Sequence, residues 1–333
     1  MSQIESSLET PLDQVVADDS KVAGQSPTRL ALGRFRKDGL SMIAFVVVAI
    51  YVILALLAPL LVKVGVIDPF TFHQSLLNAN LGGIPKGSIG GISIHHPLGV
   101  EPGTGRDAMS RLWYGITFSL AIALSGTIVA IVIGVVLGII SGFTGGMVDA
   151  TIGRLIDLTL SFPQTLMLLA LSGTGVALVA KYAPGNASDP FPNGAYVMLV
   201  LGIFGWPYIA RVVRGQVLSI REREFVDAAR LLGASRRRLY FKEILPNLWA
   251  PVLVLFTLIM PAYISAEAAL SFLSVGIHPP TPTLGNVLTS SINYSQSDFF
   301  FFFFPALLIA IIVVSFNLLG DGIRDALDPK GDR

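Results

Sequence analysis

Residues 40–62 read LSMIAFVVVAIYVILALLAPLLV, a run from Leu40 to Val62 without one charged side chain. A helix rises about 1.5 Å per residue, so a hydrocarbon core of about 30 Å needs roughly 20 apolar residues to cross. The run passes that test and reads as a membrane span. Working outward, residues 112–148 also carry no charge but are too long for one crossing. Their early part, with Tyr114, Gly115 and Thr117, reads as an approach segment to a span near 118–140. Runs 158–180, 191–210, 244–266 and 299–320 are likewise uncharged, giving six spans. Pro163, Pro207, Pro261 and Pro305 lie in or beside these runs, where neighbouring helices can take up the backbone groups they free. The expected class is all-α and polytopic, with six transmembrane helices.

Composition agrees with lipid as the solvent. The chain is 53% hydrophobic and 14% charged, against about a quarter charged in soluble domains. A net charge of +1 argues against nucleic acid as a partner. With no Cys, neither a disulfide framework nor a thiolate metal centre is available. The first apolar run follows a polar tail longer than a signal-peptide n-region, so it reads as an uncleaved first span. That tail, residues 1–28, carries Glu5, Glu9, Asp13, Asp18 and Asp19 and is expected to be disordered.

Basic residues orient the spans. Placing the N-terminus inside puts 18 of the 23 Lys and Arg on the cytoplasmic side. Nine of them fall between spans four and five, from Arg211 to Lys242. Only Lys63, Lys86, Arg106, Arg111 and Lys181 lie outside. Both termini are therefore expected in the cytoplasm. The organisation read from the chain is a tail (1–28), an N-terminal segment with the first span (29–62) and an outer loop (63–111). A core (112–320) follows, with a cytoplasmic loop at 211–246, and then a C-terminal tail (321–333). No internal repeat is evident, which weakens the case for an inverted-repeat transporter.

The loop between spans four and five holds Glu224-Phe225-Val226-Asp227-Ala228-Ala229-Arg230-Leu231-Leu232-Gly233-Ala234-Ser235. Ser219 and Glu222 have capping-box spacing. Phe225, Ala228, Ala229 and Leu232 recur at helical spacing on one face. Gly233 suits a left-handed stop, and Ser235 can cap the next helix, which runs to Pro246. A short helix with small residues on one face fits a groove of another protein. An amphipathic helix resting on anionic headgroups fits the same residues.

Asp227-Ala228-Ala229, then Gly233, then Ile244-Leu245-Pro246 resembles the "EAA" loop of ABC-importer permeases, with Asp for the usual Glu. Three further blocks resemble dipeptide/oligopeptide permeases of the C type. They are His96-Pro97-Leu98-Gly99 with Gly105-Arg106-Asp107, Ser271-Phe272-Leu273-Ser274-Val275-Gly276, and Leu319-Gly320-Asp321-Gly322-Ile323-Arg324 onward to Pro329. Those relatives usually have Thr-Asp where this chain has Val100-Glu101. The resemblance covers about residues 34–330.

It implies the type I importer permease fold with a cytoplasmic coupling helix, in a bacterial cytoplasmic membrane. It also implies that Phe225, Asp227, Ala228, Ala229, Leu232, Gly233, Ile244 and Pro246 form the surface that couples to an ATPase. The partners so implied are a second, non-identical permease, two cytoplasmic ATPases that bind the ATP and Mg, and an extracytoplasmic solute-binding protein. This chain would then hold no cofactor or metal and catalyse no reaction. Di- or oligopeptides are the expected cargo, with nickel and glutathione as alternatives within the family. An ion-coupled secondary transporter is the reading from another class, and spans almost free of charge disfavour it.

Other signals are weaker. Gly103-Thr104-Gly105 lacks the Lys-Ser/Thr of a phosphate loop and reads as a turn. The four His show no i, i+4 pairing, so spacing does not suggest a metal site. Glu267, at the outer end of span five, is expected to be a structural carboxylate held by Ser or backbone amides. Asp157, near the inner end of span three, is read the same way. Phe299–Phe304 reads as a bulky packing or lipid-facing band.

Overall fold

A computed structural model describes residues 27–87, 89–182 and 189–327. The expected disordered tail, up to residue 26, and the chain beyond Leu327 lie outside the described residues. Helix α1 (Pro27–Lys37) leads into α2 (Gly39–Val64), which Asp38 caps by accepting the amides of Leu40 and Ser41. The remaining helices are α3 (Ala108–Thr144), α4 (Gly146–Leu160), α5 (Gln164–Tyr182), α6 (Pro190–Ile220), α7 (Glu224–Leu231), α8 (Arg236–Phe272), α9 (Leu284–Ile292) and α10 (Phe299–Leu327). Six of them, α2, α3, α5, α6, α8 and α10, are long and apolar enough to cross a membrane. The non-helical pairing among the described residues is small: an antiparallel ribbon of β1 (Leu77–Asn78) and β2 (Ile84–Pro85), and an isolated bridge between Val100 and Asp107.

The six expected spans are present, with four corrections to their limits. The approach segment holding Tyr114 and Thr117 is the first turns of α3 itself, because Asp107 caps that helix at Ser110 N (2.7 Å) and Arg111 is neutralised inside it. The long run 112–148 is cut at Gly145, whose φ of +68° ends α3 and starts α4. Residues 158–160, assigned to span three, belong to α4. Span four also runs on to Ile220, past Arg211 and Arg214, because those cations find Asp157 and Asp149 on α4.

The helices pack around an α3–α6 pair. Gly134, Gly138 and Gly142 repeat every four residues along α3 and face Ile209, Val213 and Val217 of α6, all 0% exposed. A Cβ at these glycines would lie 2.6–2.9 Å from the facing side chains. This is small-residue packing, in which backbones approach closely because lipid offers apolar helices no hydrophobic drive to associate. The Gly134-Gly138-Gly142 spacing is legible in the sequence, but the partners facing it are not. Helix α2 lies against α3 and α10, tied by Tyr51 Oη donating to Leu308 O (2.8 Å) and Trp113 Nε1 donating to Leu54 O (2.9 Å). Helix α8 fills the space between α3 and α10. Helix α5 buries one side chain, Leu168, and leaves the rest at least partly uncovered.

At the end opposite Pro27 and Leu327, residues 65–87 and 89–107 fold over the bundle around a buried ion cluster. Glu101 accepts from Arg106 Nε at 2.7 Å and lies 3.5 Å from Arg111 Nε, the three side chains being 4, 7 and 0% exposed. Arg111 also donates to Pro280 O (3.1 Å), pinning the segment after α8 to the start of α3. Glu101 is thus the hub of the cluster. Gly103 and Gly105 do form a turn, closed by Thr104 donating to Glu101.

Candidate functional site

The strongest candidate surface is the elbow that hangs from the end of α6. Val213, Val217 and Ile220 are buried, so α6 stays rigid to its last turn. Ser219 therefore lies inside α6, and the expected Ser219/Glu222 capping box does not form. Arg223 occupies the N-cap of α7 without a side-chain cap, and Arg221 is turned aside to donate to Gly142 O (2.9 Å) and pair with Glu222 (2.8 Å).

Helix α7 has two faces. Val226 (0% exposed) and half-buried Ala229 pack inward. Phe225, Asp227, Ala228 and Leu232 are exposed, as is Leu231. The face expected from the sequence is thus split: Ala229 is an inner residue, while Phe225, Ala228 and Leu232 point away from the chain. Leu231 and Leu232 are 89% and 86% exposed. Adjacent exposed leucines at the polar end of a membrane protein mark a contact surface.

The stop is built as expected. Gly233 takes φ +77°, its amide bonds Arg230 O (2.9 Å), and the Ala234 amide bonds Ala229 O (3.0 Å). This pair of bonds is a Schellman ending. Ser235 then caps Arg236–Arg238 by accepting from Arg238 N (3.3 Å). Ile244 is fully buried and Pro246 exposed, so Ile244 holds the elbow's base and is not on its surface.

Three supports were missed in the sequence. Val226 is the anchor; its spacing with Ala229 was available but competed with the Phe225–Ala228–Leu232 pattern. Arg230 stacks over Phe143 at 5.0 Å and pairs with Asp227 at 3.0 Å, so the Asp227 carboxylate is engaged within its own helix. Tyr240 joins the elbow base to α3 through Phe143 (5.2 Å) and Thr144 (3.0 Å). No periodicity announces such long-range contacts.

On α4, Asp149 accepts from Arg214 Nε and Nη2 (2.5 and 2.7 Å) and from Ser141. The Arg214 guanidinium pulls its carboxyl down to about 2. Asp157 is exposed and pairs with Arg211 at 2.6 Å, held by a guanidinium and not by the Ser or backbone amides expected. At the other end, Glu267 is 2% exposed and accepts from Ser119 (2.9 Å) and Ser271 (3.0 Å). Ser119 Oγ in turn accepts the Leu284 amide (3.0 Å), so the carboxylate ties α3, α8 and α9 together. His96 Nδ1 meets Asp107 at 2.9 Å and its ring lies 5.1 Å from that of His73. Asp298 sits just before α10, accepts from Phe301 N (3.3 Å), and is shifted upward by burial. Of the Phe band, Phe301 packs inward while Phe299, Phe300 and Phe303 are exposed.

Residues 134–332 match the binding-protein-dependent transport system inner membrane component family. Residues 26–81 match the N-terminal TM domain of oligopeptide transport permease C. The dipeptide transport system permease protein DppC of Alkalihalophilus pseudofirmus is 32% identical, over 97% of this chain and 96% of that protein. The oligopeptide transport system permease protein OppC of Bacillus subtilis is 32% identical over 99% of each. The glutathione transport system permease protein GsiD of Shigella flexneri is 35% identical over 89% of this chain and 88% of that one. In fold, the chain is similar to a chain of the MetNI methionine ABC transporter in an inward-facing conformation. There the TM-score is 0.52 at 20% identity, over 66% of this chain and 97% of that chain.

Proposed function

The chain belongs to the binding-protein-dependent transport system inner membrane component family, and from that premise we propose that it forms half of a peptide path worked by an ATPase through the α7 elbow. It is a multi-pass inner membrane protein and a permease subunit of an ABC importer. Di- and oligopeptides are the cargo we assign, supported by the names of the dipeptide and oligopeptide relatives that span nearly the whole chain.

One observation carries the coupling: an exposed apolar tip (Phe225, Ala228, Leu231, Leu232) on a helix whose inner side is locked by Val226 and Ala229. A tip that is anchored inward and bare outward transmits a push. We place it in the cytoplasm with both termini, where the Lys and Arg excess is supported by the positive-inside rule. Two ATPase subunits, which bind the ATP and Mg, seat this tip and its counterpart on a second, non-identical permease. The largely uncovered α5 supports the presence of that second permease. An extracytoplasmic binding protein delivers the cargo at the face built around Glu101, Arg106 and Arg111. ATP-driven closure draws the elbows together and α6, packed along its length on α3, carries the motion to the spans. The chain itself makes and breaks no bonds.

Ala228→Arg tests this reading. Ala228 is exposed, so the substitution leaves the chain's own packing intact, unlike one at Ala229. Peptide uptake is expected to fall to background in cells while the protein level stays unchanged. Uptake at the wild-type rate in that variant overturns the assignment.

A further inference from the structure

At the basic end of the bundle, α4 lies against α6 and leaves a recess of about 310 Å³ between them. Arg154, Arg211 and Arg214 line it, with Asp149 and Asp157 set among them. Arg214 commits Nε and Nη2 to Asp149, and Arg211 commits Nη2 to Asp157. Both carboxylates are therefore engaged. Among the described residues, Arg154 has no carboxylate within ion-pair distance, and Nη1 of Arg211 and Nη1 of Arg214 have no acceptor. The recess thus offers one whole guanidinium and the free edges of two more. Convergent guanidinium donors with surplus positive charge are the chemistry that binds a phosphate.

A second observation identifies the source of that phosphate. The outward side of α4 exposes Met147, Leu155 and Leu158 (87, 49 and 61%) beside the recess. The level is also right. Helix α6, at 31 residues, is about 46 Å long and overruns a hydrocarbon core of about 30 Å. Arg211 and Arg214 lie in its last third, while α5 begins its apolar run at Gln164. With the 211–246 loop facing the cytoplasm as proposed above, Arg211 and Arg214 fall in the stretch of α6 that overruns the hydrocarbon, and the recess they line with α4 sits at that headgroup level.

We propose that this recess binds an anionic phospholipid, its phosphate on Arg154 and the free edges of Arg211 and Arg214, its acyl chains along Leu155 and Leu158. A soluble phosphate compound would satisfy the arginines but not the leucines. A lipid held there clamps α4 to α6, the helix from which the elbow hangs.

Trp206 packs beside Ile152 and Ile156 next to the recess and is one of three tryptophans. The full chain carrying Trp113→Phe and Trp249→Phe, reconstituted in phosphatidylcholine nanodiscs, makes it the sole reporter. Brominated phosphatidylglycerol is expected to quench Trp206 at lower mole fraction than brominated phosphatidylcholine. Arg154→Gln is expected to reduce that preference roughly fivefold, and Arg154→Gln with Arg211→Gln to bring the two lipids to parity. Arg154→Lys, which keeps the charge, retains part of the preference. Arg154 is exposed and unpaired, so its loss does not threaten folding. Equal quenching by both lipids in the parent, or a preference unchanged in the double variant, overturns the proposal. So does loss of the preference to inorganic phosphate or glycerol phosphate but not to chloride at equal ionic strength, which would mark a site for soluble phosphates.

Discussion

Replacing Gly138 by valine would drive a side chain into the closest approach between α3 and α6. A Cβ there meets Cβ and Cγ1 of Val213 at 2.8 Å and the Ala210 carbonyl oxygen at 2.9 Å. Apolar carbons rest at about 3.5–4.0 Å, so the helices must separate by about 1 Å. Neither neighbour can yield alone: Val213 is fully buried and the Ala210 oxygen is backbone. The gap would spread to Gly134 and Gly142 on the same seam. Overpacking of this kind costs about 1–3 kcal/mol. Alanine recovers about 1 kcal/mol through its better helix propensity, so Gly138→Ala is expected to lose about 0–2 kcal/mol. Gly138→Val adds two methyl groups and recovers less, for a loss of about 2–3 kcal/mol. Gly153 is the control, since a Cβ there meets nothing within 4 Å; Gly153→Ala is expected to be neutral or slightly stabilising. Thermal unfolding of the purified chain in detergent, followed by tryptophan fluorescence, should rank Gly153→Ala at or above wild type, then Gly138→Ala, then Gly138→Val. A Gly138→Val variant melting with the wild type would refute the seam.

Glu101→Gln removes the one carboxylate between two buried arginines, and breaking such a pair from one side costs about 3–5 kcal/mol. The expected result is a marked fall in melting temperature, together with protease sensitivity of residues 65–107. Asp149 predicts a pH dependence. Its folded carboxyl titrates at about 2 against 3.8 for the free group. Its contribution is therefore complete above pH 4 and lost as pH falls through about 2. The Arg214 partner is 37% exposed, so solvent screening holds the effect to about 1 kcal/mol. Acid titration of the melting temperature should show this loss in wild type and a flatter profile in Asp149→Asn.

The spans were legible because hydrocarbon admits few charges, and a charge-free run of 20 residues has few other uses. Their ends were less legible, since a charge looks like a boundary until its partner is known. Arg111 lies inside α3 because Glu101, ten residues earlier, reaches it; Arg211 and Arg214 lie inside α6 because α4 folds back with Asp157 and Asp149. The capping box failed for the same reason: local spacing at Ser219 and Glu222 was outweighed by the burial of Val217 and Ile220 in the continuing helix. At the elbow, Gly233 and Ser235 were readable because backbone chemistry demands those residue types. The inward side was not, because Val226 differs from Phe225 only in what the rest of the fold puts beside it. Glu267 fell between: its type and depth announced a partnered acid, but the partners Ser119 and Ser271 come from two different helices.

The chain has no Cys, so one introduced at the elbow reports without background. Ala228→Cys or Leu232→Cys, crosslinked in native membranes carrying the whole transporter, is the most direct measurement of the coupling claim. The account predicts an adduct with the ATPase subunit at both positions and none at Val226→Cys, whose side chain faces inward. Transport-competent membranes with no ATPase adduct at either position would contradict it, as would labelling of the Ala228→Cys variant in intact cells by an impermeant thiol reagent.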